Sequence, residues 1–132
     1  MLQKLAPIPS LVIFVADVER VASFYGAVGA MQRVAGDREH VVLEIEGFQL
    51  VVHKLRGEPA PTTDIAGKVR VREDSYTKLC LPVQSIDAAR AQAASLGGFI
   101  KPAQHEWEAR GFRACDGNDP EGNVIQVREG AG

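Results

Sequence analysis

The stretch Val15–Gly29 reads VADVERVASFYGAVG, and Val83–Gly97 reads VQSIDAARAQAASLG, the second following the first at one constant offset without a gap. Each copy leaves an apolar run, places a capping side chain (Asp17, then Ser85) ahead of a helical pattern, and stops at glycine. In the first copy Val18, Val21, Ala22, Tyr25 and Val28 recur at helical spacing. In the second, Ile86, Ala89, Ala93 and Leu96 do. Two copies of one small unit bury their apolar faces against each other, so they are expected to share a core and to build their functional surface between them.

Working outward, Leu11–Val15 is a β-branched and aromatic run of strand type, and Leu79, Leu81 and Val83 alternate with Cys80 and Pro82 at a period of two. After the first helix come a weak strand at Met31–Val34, the Gly36–Asp37 turn, a strand over His40–Glu46, a break at Gly47 and a strand over Phe48–His53. After the second come Phe99–Lys101, a polar stretch through Gly111 and a strand at Phe112–Cys115. The run Asp116–Asp119 reads as a turn, because Pro120 and the absence of the required glycine exclude a calcium loop. Asp119-Pro120-Glu121-Gly122 is a type I turn by its chemistry and delivers a last strand, Asn123–Glu129. Both modules therefore read βαβββ. They fall at about residues 8–55 and 76–130 of a single domain spanning residues 1–132. The connection between them, about 56–75, is rich in Gly, Pro and charge, with Ile65, Val69 and Val71 its apolar residues.

At 132 residues and 45% hydrophobic content the chain can bury one ordinary core. Fifteen basic against seventeen acidic residues, scattered along the chain, argue against nucleic-acid binding. No apolar run approaches the roughly 18 residues of a membrane span. The N-terminal MLQKLAPIPS lacks the apolar stretch of a signal peptide, so the expected location is cytoplasmic. There Cys80 and Cys115 are most simply small buried hydrophobes. Nucleophile elbows, phosphate-binding glycine loops and C-x-x-C pairs are all missing.

The order of these elements resembles the vicinal oxygen chelate superfamily of glyoxalase, bleomycin-resistance and extradiol-dioxygenase proteins. The resemblance rests on Val15-Ala16-Asp17-Val18-Glu19 with Phe24-Tyr25, on Leu96-Gly97-Gly98, and on Asp119-Pro120-Glu121-Gly122-Asn123. It implies an α+β fold in which two βαβββ modules form a curved mixed sheet, a cup, with the helices on its outer face. It also implies a frequent homodimer. That fold hosts several chemistries, so it does not decide function by itself.

Enzymes of the superfamily hold a divalent metal on the cup floor from the first and last strand of each module. Counting from Asp17 and Gly122, and carrying the repeat offset across, those positions fall on Ser10, Val51, Lys78 and Gln126. Valine has no lone pair, an ammonium repels a cation, and a serine hydroxyl is a poor ligand. Even a register shift that brought in His53 would leave one His and one Gln. No cofactor is therefore expected, and the residues argue against a divalent metal.

The parity that turns Leu11, Ile13, Val15, Leu79, Leu81 and Val83 toward the helices leaves Ser10, Val12, Phe14, Val51 and His53 on the first cup face. The second receives Lys78, Cys80, Pro82, Val124, Gln126 and Arg128. Candidate ligand-binding residues are Phe14 for stacking, His53 as a base, Lys78 for an anionic oxygen, and Cys80 and Gln126 as small polar groups. Trp107 is read as a lid or interface anchor. Arg113 and Arg128 are read as carboxylate clamps, with Arg72 reaching in from the connection. No catalytic residue is assigned.

Three functions compete. The favoured one is a metal-independent protein of the glyoxalase/bleomycin-resistance type that holds a small, planar organic ligand. The alternatives are an enzyme, either a lyase, isomerase or dioxygenase with an altered metal site or a metal-free catalyst using His53 and Lys78, and an interaction module whose cup is vestigial. The expected partners are a small-molecule ligand and a second copy of the chain, with no nucleic acid and no membrane.

Overall fold

The computed structural model describes residues 7–58 and 61–130. Most of the N-terminal stretch read for a leader, and Pro59 of the connection, lie outside the described residues. The elements are β1 (Ser10–Val15), α1 (Val18–Val28), β2 (Gln32–Gly36), β3 (His40–Ile45), β4 (Phe48–Lys54), β5 (Leu79–Val83), α2 (Ile86–Ser95), β6 (Phe99–Ile100), β7 (Trp107–Ala109), β8 (Phe112–Asn118) and β9 (Val124–Gly130). One sheet runs β1-β4-β3-β2 and the other β5-β9-β8-β6, with β7 added beside β8. In each, the first strand pairs parallel with the last and the other pairings are antiparallel. The two βαβββ modules of an α+β fold are thus present in the expected order.

Both helices start as their sequences predict. The Asp17 side chain accepts the Arg20 N–H at 3.1 Å, and Ser85 Oγ accepts that of Ala88 at 3.1 Å. The ends differ. Gly97 takes the left-handed conformation (φ 88°), and Gly98 N–H reaches back to Ala93 O at 2.9 Å, a Schellman ending. Gly29 stays right-handed (φ −90°), and the left-handed residue is Ala30 (φ 50°). Glycine suits position 29 for closeness instead: a Cβ there would sit 3.0 Å from Tyr25 O and 3.2 Å from Met31 Cγ.

Two strand readings are corrected. The polar stretch before Gly111 contains β7, which pairs with β8 through a two-residue turn at Arg110 and Gly111, the latter at φ 83°. Asp116, Gly117 and Asn118, read as a turn, continue β8. Gly117 makes that possible, because a Cβ would stand 2.2 Å from Phe99 O and push β6 off the sheet. Among the described residues of the connection, Ile65 is fully exposed, Val71 is 39% exposed, and a Thr63–Val69 bridge is the only regular pairing.

One hydrophobic cluster joins Val15, Leu50 and Val52 of the first sheet, Leu81, Ile125 and Val127 of the second, and the inner sides of both helices. The modules are fastened by the last turn. Glu121 Oε1 and Oε2 accept the backbone N–H groups of Ala16 and Asp17, each at 2.7 Å, where the chain enters α1. Asp119 accepts the Tyr25 hydroxyl at 2.8 Å, the Asn123 amide at 2.8 Å, and the backbone N–H groups of Glu121 and Asn123. Burial raises the Asp119 carboxyl above its ordinary value, and these donors offset only part of the rise. Burial and the facing Asp119 push the Tyr25 phenol well above its ordinary value, so it stays a donor.

Each of those acceptors sits in the interior, where an unmet N–H costs about 1–3 kcal/mol. Glu121→Gln turns one acceptor into a donor facing an N–H and is expected to lower stability by about 2 kcal/mol. Tyr25→Phe, which removes one donor, is expected to cost about 1 kcal/mol. Urea denaturation of both variants checks the order, and equal losses would count against Glu121 as the stronger fastening.

Candidate functional site

Cross-strand register sets the second sheet's cup face. Asp116, Gln126 and Cys80 stand abreast, as do Ala114, Arg128 and Pro82. Lys78 Nζ donates to Asp116 Oδ1 at 3.1 Å, and Gln126 Nε2 donates to the same oxygen at 3.1 Å. Gln126 Oε1 accepts from Arg128 Nε at 2.7 Å, and the Arg128 guanidinium lies 4.6 Å over the Phe112 ring. Cys80 Sγ lies 3.9 Å from Gln126 Oε1. A polar chain therefore crosses this face from Lys78 to Phe112. Gln126 is nearly buried, and both ends of its amide are engaged.

Above that face lies a cavity of about 760 Å³. Its floor includes Phe99, Gly117, Asn118 and Val124, and the connection from Lys68 to Thr77 covers one side. No residue of the first sheet lines it. This cavity therefore belongs to the second module and the connection, and not to a surface shared by the two modules. The connection is held there by the last turn: Arg72 N–H donates to Gly122 O at 2.8 Å, and a Cβ on Gly122 (φ 84°) would collide with Arg70 O at 1.8 Å.

The first sheet's cup face is more open. Val12 and Phe14 are 46% and 55% exposed. Phe14 packs 5.6 Å from the His53 ring, and His53 stacks on His40 at 6.1 Å. His53 Nδ1 lies 2.8 Å from Lys54 O; a carbonyl only accepts, so Nδ1 donates. Val51 lies between Val12 and Val42, and Ser10 Oγ donates to Ile8 O at 2.9 Å.

Of the sequence-predicted ligand residues, the structure brings Lys78, Cys80, Gln126 and Arg128 onto one face and sets Phe14 and His53 together on the other sheet. Trp107, in β7, stands opposite Ala114 on the Arg128 side of the second sheet and does not line the cavity. Arg113 faces the helices, where Glu106 Oε1 and Glu108 Oε1 accept from it at 2.6 and 2.9 Å. Cys115 is fully buried and Cys80 half-buried, both as free thiols. Sequence reading missed Asp116, Phe99 and Lys101. Asp116 was legible only once β8 was carried past Cys115, which puts it on the cup-side parity opposite Gln126.

The four positions implied for a metal do not suit one. Val51 has no donor atom, Lys78 is a cation paired with Asp116, Gln126 is spent on Asp116 and Arg128, and Ser10 is bonded to backbone. Among the described residues, no three His, Cys, Asp or Glu side chains gather in a metal-holding group.

With fold and site in view, the comparisons define the class. The chain belongs to the glyoxalase-like domain family, whose model matches residues 10–128. It is thereby a member of the vicinal oxygen chelate superfamily. Among solved structures, an integron cassette protein from the mobile metagenome of V. cholerae is similar at 24% identity and TM-score 0.61, over 98% of each chain. A glyoxalase/bleomycin resistance protein/dioxygenase family enzyme from Burkholderia phytofirmans PsJN aligns at 15% identity and TM-score 0.68, over 96% of this chain and 100% of that one. The fosfomycin resistance protein FosX of Listeria monocytogenes aligns at 16% and 0.62, over 99% and 96%. At these identities the likeness is one of fold. No curated protein matches the chain. Among the described residues no helix is long and apolar enough to cross a membrane.

Glu106 anchors the β7–β8 hairpin by accepting from Arg113 and from Arg90 of α2, and these donors, Arg113 first, hold its carboxyl below the usual range. The unfolded chain takes up that proton at higher pH than the folded one. The stabilisation is therefore complete above the usual carboxylate range and drains away as pH falls through it toward the depressed folded value. Glu106→Gln is expected to lower stability at neutral pH and to flatten its loss between about pH 5 and 3. Urea midpoints measured across that window check it, and an unchanged acid slope would refute the assignment.

Proposed function

We propose that this chain is a metal-independent binding protein of the glyoxalase/bleomycin-resistance type, which holds a small planar organic molecule in the cavity over its second sheet. The observation that carries the reading is the cavity itself: about 760 Å³, floored by Phe99, Val124 and glycine backbone, with the Lys78–Asp116–Gln126 chain at its edge. The volume is that of a small-molecule pocket, and its apolar and glycine surface is bordered by polar and charged side chains that can orient a ligand. The donor chemistry at Ser10, Val51, Lys78 and Gln126 supports a role that does not run through a divalent ion. Names that speak of resistance to bleomycin and fosfomycin among the fold's neighbours accord with capture of a small organic compound. The two free thiols suit a reducing compartment, the cytoplasm.

A second copy of the chain belongs to this reading. β1 and β5 are both sheet edges, and β1 presents Val12 and Phe14 to solvent. An isologous dimer covers two edges and the apolar face in one step.

Screening planar organic compounds by thermal shift on protein purified with and without chelator is expected to yield ligands whose shift is the same in both. Val124→Trp, which fills the floor, is expected to abolish that shift with little change in the free protein's Tm. A shift that needs added metal would overturn the reading. Phe14→Glu is expected to move the protein from dimer to monomer in light scattering, and a wild-type chain monomeric at 100-fold dilution and at high concentration alike would remove the second copy.

A further inference from the structure

The cavity's charge is distinctive, and its reading rests on the binding function proposed above. Three lysines line it, Lys68, Lys78 and Lys101, against two carboxylates, Glu73 and Asp116, in a chain whose formal net charge is −2. Asp116 is already committed to Lys78 and Gln126. Among the described residues, neither Lys68 nor Lys101 takes part in any salt bridge. Glu73 takes part in none either, so two uncommitted ammonium groups and one uncommitted carboxylate border the floor, a net positive rim in an otherwise mildly acidic protein. In that floor Phe99 is 50% exposed, and Tyr76, beside it in the lining, is fully exposed. Large aromatic side chains left in solvent beside a cavity leave ring faces for a ligand to cover.

We propose that the cavity selects small organic anions with a planar aromatic body, the ring covering Phe99 and the oxyanion held by Lys101 and Lys68. Lys101 can be altered without disturbing the fold. Its structural work is done by its backbone, whose carbonyl accepts from Arg90 Nε at 2.8 Å and whose N–H donates to Asp116 O at 2.9 Å. Ammonium and oxyanion at a half-open rim attract modestly and in a salt-dependent way, so the effect is a preference of several-fold.

The test uses three probes of matched shape, 2-naphthoate, 2-naphthamide and 2-naphthylmethylamine, titrated against the full chain and followed by NMR shifts at Phe99 and Val124. The expected order of affinity is naphthoate, then naphthamide, then the amine. Lys101→Met is expected to weaken naphthoate roughly fivefold and leave naphthamide unchanged. Lys101→Glu is expected to reverse the order of the two charged probes, with circular dichroism confirming a native fold for both variants. If naphthamide binds as tightly as naphthoate, or if Lys101→Met changes neither, anion selection is overturned while the cavity remains a binding site. If none of the three shifts the cavity resonances, both this inference and the binding function on which it rests are overturned.

Discussion

Glu121 reaches across 105 positions of sequence to accept the N–H of Ala16, and its other oxygen accepts that of Asp17. Those N–H groups lie where β1 turns into α1, at the positive end of the helix, which any helix entering a core must supply with acceptors or an anion. The second helix is served from inside its own module, where Glu129 accepts the Ile86 N–H at 2.7 Å. The first is served by the other module. Chemically the two copies solve the same problem, but only one solution binds the halves into a single unit. Asp119, two residues earlier, adds the hydroxyl of Tyr25, further along α1.

The same turn governs the cavity. Gly122 presents its carbonyl to Arg72 and, lacking a side chain, lets the Arg70 carbonyl come against it. The connection is therefore laid over the second sheet and not over the first. Among the described residues nothing is strapped in this way over the first cup face, where Val12 and Phe14 are exposed. One tetrapeptide thus caps a helix, joins two modules and decides which of two similar sheets acquires a roof.

What was legible in the sequence was what local chemistry dictates. Asp17 and Ser85 cap because their side chains reach an N–H three residues on. The alternation of Leu79, Leu81 and Val83 with Cys80 and Pro82 separates core from cup without tertiary information. β7 was hidden because Trp-Glu-Ala is too short and too polar for periodicity to register, and it exists through pairing with β8. The continuation of β8 through Asp116-Gly117-Asn118 was masked by residues that ordinarily make turns; close approach of Phe99 to Gly117 outweighs that propensity. The charge of Arg113 alone suggests a clamp; which side of β8 it occupies depends on pairing with β9, whose register sets it opposite Glu129 and out of step with Asp116 and Ala114. The cavity could not be read because its roof depends on Gly122 meeting Arg70, a contact between distant segments.

Lys78 shows how such a fold can change its chemistry. The repeat offset places it at a position where the family resemblance implies a metal ligand, and there it brings a fixed positive charge of its own. Asp116 and Gln126 respond as they would around any cation site, the carboxylate accepting from Lys78 and the amide steadying the carboxylate. An ammonium cannot act as a Lewis acid or exchange with solvent ions. It can neutralise a carboxylate and donate up to three hydrogen bonds. At this position the fold therefore offers hydrogen bonds from a fixed cation, where the family resemblance implies a coordinating side chain.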